Sequence, residues 1–85
     1  MANLLTGFIH NKQGKIIEGA ILEIRDSQGN PVRAFKTNKL GQFLSATPLS
    51  SGLYEIETEK EGYSFDIVKI ELKGEILPPI EIISK

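Results

Sequence analysis

Apolar and polar residues alternate with a period of two along most of this chain, and short glycine-bearing polar clusters interrupt the alternation. Leu5, Gly7 and Ile9 share one face of a first strand, and Ala20, Leu22 and Ile24 one face of a second, with Ile21, Glu23 and Arg25 opposite. Period two marks a strand that is buried on one side and wet on the other. The run 53–60 is the clearest case, with Tyr54, Ile56 and Thr58 against Glu55, Glu57 and Glu59. Further on, Val68, Ile70 and Leu72 alternate against Lys69, Glu71 and Lys73. Shorter strands are expected at 32–37, at 42–44 with Phe43 as core anchor, and at 80–83.

The interruptions are Asn11-Lys-Gln-Gly14, Asp26-Ser-Gln-Gly29, Asn38-Lys-Leu-Gly41, Ser50-Ser-Gly52 and Glu61-Gly62-Tyr63. Each places a residue that tolerates positive φ beside small polar residues that bond their own backbone, so the chain reverses about every 8 to 12 residues. The clusters at 26–31 and 38–41 read as hairpins, and Gly19, inside an apolar pattern, reads as a bulge. Proline cannot donate to a ladder, which puts Pro31 at a strand start or edge and ends the 42–44 strand by Pro48. No window of a dozen residues holds helical spacing without a breaker. The class is therefore all-β, and about seven strands of this length close as two packed antiparallel sheets.

The 85 residues fit one domain spanning 1–85, with no linker, low-complexity tract or true repeat. Aromatics are 7% of the chain and tryptophan is absent, so no large stacking platform can form. Formal charge is −1 with the signs interspersed, which argues against nucleic acid and anionic lipid as partners. Without cysteine there is neither a disulfide framework nor a thiolate metal site. No run of about 18 apolar residues occurs, and the start lacks a basic segment followed by a long apolar run. We expect no direct membrane insertion and no signal peptide in these residues. A Met-Ala start running straight into a strand equally fits a module cut from a longer parent.

Candidate chemistry is sparse. His10 is the single histidine and reads as a strand-end residue beside Asn11, not a base or ligand. The oxygens of 26–30 fall short of a calcium loop, which needs alternating acids and a bidentate glutamate. Neither Gln13-Gly14 nor Lys39-Leu40-Gly41 opens a helix, so neither is a phosphate cradle. The row Glu55, Glu57, Glu59 reads as a solvated face paired across strands with Lys69 and Lys73 or with Arg33 and Lys36.

The series Gly7-Phe8-Ile9, Gly14-Lys15-Ile16-Ile17-Glu18-Gly19-Ala20, Thr37-Asn38-Lys39-Leu40-Gly41-Gln42-Phe43, Pro48-Leu49-Ser50-Ser51-Gly52-Leu53-Tyr54 and Glu61-Gly62-Tyr63 resembles the carboxypeptidase regulatory-like domain over nearly the whole chain. That family belongs to the group with a transthyretin-like (prealbumin-like) Greek-key sandwich, which also holds the CnaB-type modules of bacterial surface proteins. The resemblance implies a seven-stranded Greek-key β-sandwich without catalysis or cofactor. It also implies a structural or protein-interaction module of a larger secreted or cell-envelope protein, located at the surface or outside the cell.

CnaB-type modules often carry an isopeptide bond between a first-strand lysine and a last-strand Asn or Asp, assisted by a buried glutamate. Here Ile9 or its neighbours stand where the lysine should be, 80–84 holds neither Asn nor Asp, and alternation turns Glu57 outward. No such crosslink is expected. A transthyretin-like hydrolase in the same group works through several histidines and a C-terminal tyrosine motif, whereas this chain has His10 alone and ends Ile83-Ser84-Lys85. A zinc peptidase would need a His-Glu-x-x-His arrangement that is not present.

Interaction surfaces are the remaining expectation. Ile21, Leu40, Ile67 and Ile83 fall on the polar phase of their strands or in turns, and together would form an apolar patch. The partners expected are other domains of a parent protein or another protein, with the chain a monomer or a weak edge-strand dimer. The alternative function is a carbohydrate or small-ligand binding domain using loop ends near Tyr63 and Phe65; otherwise Tyr63 is a corner residue and Phe65 core.

Overall fold

The computed structural model describes residues 2–85, so Met1 lies outside the described residues. Seven strands follow one another: β1 (Thr6–His10), β2 (Ile21–Asp26), β3 (Pro31–Lys36), β4 (Gln42–Leu44), β5 (Gly52–Glu59), β6 (Val68–Leu72) and β7 (Ile80–Ile83). They form a three-stranded sheet ordered β4-β1-β7 and a four-stranded sheet ordered β3-β2-β5-β6. The chain crosses between the sheets after β1, β3, β4 and β6, which makes the connections of a Greek-key β-sandwich. Every pairing is antiparallel except that of β1 with β7, which runs parallel with Gly7 opposite Ile80 and His10 opposite Ile83.

The alternation read from the sequence sets the core. Leu5, Ile9, Ile17, Ala20, Leu22, Ile24, Phe43, Leu49, Tyr54, Ile56, Leu72 and Ile82 are buried in one cluster between the sheets. At about 25 cal/mol per Å² of apolar area, this interior is the main favourable contribution to folding. Gly7 is buried for a steric reason. A Cβ there would meet the Ile80 carbonyl oxygen and lie 2.5 Å from the Phe43 ring, so only glycine lets β7 and Phe43 close on β1.

Three of the polar clusters make the same turn. The Oδ1 of Asn11 accepts from the backbone N–H of Gln13 and Lys15, that of Asp26 from Gln28 and Asn30, and that of Asn38 from Leu40 and Gln42. In each the glycine, at φ between +71° and +83°, donates back to the carbonyl of the first residue. Only the second is a hairpin within one sheet. The turn at 38–41 was expected to be a hairpin too, but it carries the chain from β3 in one sheet to β4 in the other. Local turn chemistry is the same in both cases, so it cannot report which sheet the next strand joins.

One further detail differs from expectation. Gly19 is not a bulge: it sits at φ +73° in the turn before β2, and the irregularity falls between Ile24 and Arg25 where β3 starts at Pro31. The Tyr54 hydroxyl donates to the Ser50 carbonyl at 2.7 Å, while Tyr63 stands at the turn its N–H closes on the Lys60 carbonyl. The buried side chain of Asn3 ties three segments together. Its Nδ2 donates to the Leu49 carbonyl and Ser51 Oγ, and its Oδ1 accepts from Gly74 N–H.

Candidate functional site

The sandwich offers two outward faces, one richer in apolar and the other in charged side chains. On the three-stranded sheet, parity sends Thr6, Phe8 and His10 of β1 outward, with Gln42 and Leu44 of β4 and Glu81 and Ile83 of β7. Ile16 joins them through an isolated bridge to His10. Phe8, Ile16, Leu44 and Ile83 keep between 38% and 64% of their surface in water, so this face carries a group of apolar side chains beside Thr6, Gln42 and one hydrogen-bonded polar pair.

That pair is His10 and Glu81. The imidazole Nε2 lies 2.7 Å from Glu81 Oε2, while Nδ1 lies 2.7 Å from the Asn11 carbonyl oxygen. Both partners are acceptors, so both ring nitrogens must carry hydrogen, and the site fits imidazolium better than neutral histidine. The Glu81 hydrogen bond, then the Asn11 carbonyl, raises the His10 pKa above its usual value. The Phe8 ring stacks on the imidazole at 6.0 Å between centroids. The pair ties the first strand to the last across the outward side of their ladder.

The face of the four-stranded sheet is mostly charged, with Ile21 and Leu53 exposed among the charges. Arg25 of β2 bonds Glu57 of β5 through its guanidinium and also reaches Glu23 at 2.8 Å. Glu55 stands opposite Arg25 on one side and Lys69 on the other. The expected pairing of the glutamate row with Arg33 and Lys36 does not occur, because β2 lies between β3 and β5. Lys73 stands beside Glu71 of its own segment at 3.9 Å.

The residues expected to form one apolar patch are all exposed, but Ile21 and Ile83 lie on opposite faces of the sandwich. Leu40 sits at the tip of the turn joining β3 to β4, and Ile67 in the segment before β6. Phe8, Ile16 and Leu44, which keep Ile83 company, were absent from that set. Strict alternation does send Phe8 and Leu44 outward, and that was the available signal; the placement of Ile16 depends on a bridge across the turn at 11–15.

The other candidates resolve into structural roles. Asp26 Oδ1 already accepts two backbone N–H groups, and these bonds, with that of Asn30 foremost, hold its carboxyl below the usual range. Tyr63 and Phe65 rings lie 6.5 Å apart, both partly buried against the core. Ile9 and Ile82, register partners in β1 and β7, fill the place where first and last strands meet inside the sandwich. No group of three or more histidine, aspartate or glutamate side chains able to hold a metal occurs among the described residues.

The chain matches no known family profile and no curated protein. It is similar in structure to the T6 backbone pilin of Streptococcus pyogenes, described as a modular three-domain structure decorated with variable loops and extensions. The match has a TM-score of 0.70 and 25% sequence identity, and covers 82% of this chain but 16% of the pilin. The chain thus spans about a sixth of the protein it resembles. The likeness supports the coarser expectation, a sandwich related to modules of bacterial surface proteins.

Proposed function

We propose that this chain is a non-enzymatic structural module of a larger cell-surface protein, in the carboxypeptidase regulatory-like branch of the transthyretin-like sandwiches. The observation that carries the reading is the likeness to one portion of a pilin that is itself modular. It is supported by the use to which the polar side chains are put. His10, Asp26, Asn3, Asn11 and Asn38 are each engaged in holding strands or turns, which leaves no converging set of groups for catalysis. Carbohydrate or small-ligand binding is disfavoured by the partial burial of Tyr63 and Phe65 against the core.

The test is protease shaving of intact cells followed by peptide mass spectrometry. Peptides of this chain should be released from intact cells, joined in sequence to those of neighbouring domains. Recovery only after lysis would overturn the reading.

A further inference from the structure

The parallel pairing of β1 with β7 decides how the module carries load. Because the two strands run the same way side by side, the chain enters the sandwich at one end of the ladder and leaves it at the other. Tension applied through the two ends draws β1 backward and β7 forward along their common axis. β1 is also the middle strand of its sheet, with β4 on its far side. Drawing it out lengthwise therefore strains both ladders at once, whereas pulling strands sideways breaks ladder bonds one after another.

Several contacts are placed to resist that sliding. The Ser84 N–H donates to the His10 carbonyl at 3.0 Å, extending the ladder past β7. The His10–Glu81 bond crosses the two strands on the outward side, and Ile9 and Ile82 pack on the inward side. Before β1, Asn3 anchors the entering chain to Leu49, Ser51 and Gly74, and its N–H donates to the Glu75 carbonyl. After β7, the Lys85 N–H donates to the Ser64 carbonyl and its Nζ lies 2.8 Å from Asp66. Gly7 permits the tight approach of Ile80 that the ladder requires.

We infer that the module is a load-bearing element, in which β1, held between β4 and β7, is a shear clamp against tension applied along the chain. The inference deepens the proposed structural role and rests on it for its biological meaning, but the mechanical property belongs to the folded module itself.

The test is single-molecule force spectroscopy on the module placed between reference domains in two attachment geometries. In the first, force enters through the two chain ends. In the second it enters through Lys12→Cys and the C-terminal end, neighbouring points at the same end of β1 and β7; the chain has no other cysteine to compete. Unfolding in the first geometry should need about twofold or more force than in the second, at equal loading rate, because forced unfolding follows the barrier to unfolding and not the equilibrium stability. Equal forces, or a weaker first geometry, would overturn the inference. Circular dichroism of the unloaded Lys12→Cys protein checks that both start folded. Shaving and force measurements are independent, so failure of the surface assignment would leave the force ratio unaffected.

Discussion

The two outward faces of this sandwich are built from the same period-two alternation, yet one is mainly apolar and the other mainly charged. On the four-stranded sheet the outward positions of β2 and β5 gather Glu23, Glu55, Glu57 and Glu59 around Arg25, which bridges Glu23 and Glu57, with Ile21 and Leu53 exposed beside them. On the three-stranded sheet the corresponding positions hold Phe8, Leu44 and Ile83, and the one polar pair, His10 with Glu81, joins first strand to last. A charged face keeps a sheet soluble and discourages edge pairing; an apolar face of several side chains is the kind of surface against which another domain packs. The difference teaches that alternation decides which residues leave the core and nothing about the medium they meet.

The comparison breaks most severely at Gly7. Gly7→Ala forces β7 or Phe43 away from β1 and should lower stability by about 3 kcal/mol in urea unfolding, the upper part of the overpacking range. On the other sheet, exposed Ala34→Val should change stability by less than about 0.5 kcal/mol. Next in size is a gain beneath the charged face. Thr58 Oγ1 is buried with no hydrogen-bond partner among the described residues, so Thr58→Val should raise stability by about 1 kcal/mol in the same measurement.

Smaller effects separate the surfaces themselves. Arg25→Ala leaves Glu23 and Glu57 facing each other without a cation, and should lower the melting temperature at low salt but much less at 0.5 M NaCl, where a Debye length of about 4 Å screens the glutamates. The apolar face should show the smallest response, and one to pH instead of salt. His10 has a raised pKa in the folded state, so its contribution is complete below the ordinary histidine value near 6.5 and is lost as pH rises through the folded value. Melting temperature should therefore fall from pH 6 towards pH 8 relative to Glu81→Gln, whose profile should be flatter over that window.

Much of the fold was legible because it is local. Leu5, Ile9, Leu22, Ile24, Phe43, Tyr54, Ile56 and Leu72 were assigned to the interior by alternation alone, and all are buried. Partners across space were not legible. Nothing in Asn38–Gly41 distinguishes a hairpin from a crossing between sheets, and nothing in 80–83 says that β7 lies parallel to β1. The apolar face shows the same limit. Ile83 is exposed, and alternation turns its neighbour Phe8 outward, but that Ile16 joins them depends on a bridge across a turn, and Ile21 belongs to the opposite side of the molecule.

The threefold turn separates two jobs along the sequence. Every bond that closes the loop runs between the first residue and backbone groups, whereas the side chains of Lys12-Gln13, Ser27-Gln28 and Lys39-Leu40 make none of these bonds. The tips carry none of the loop-closing side-chain bonds, so substitutions at Lys12, Gln28 or Lys39 should leave the framework almost as stable as before.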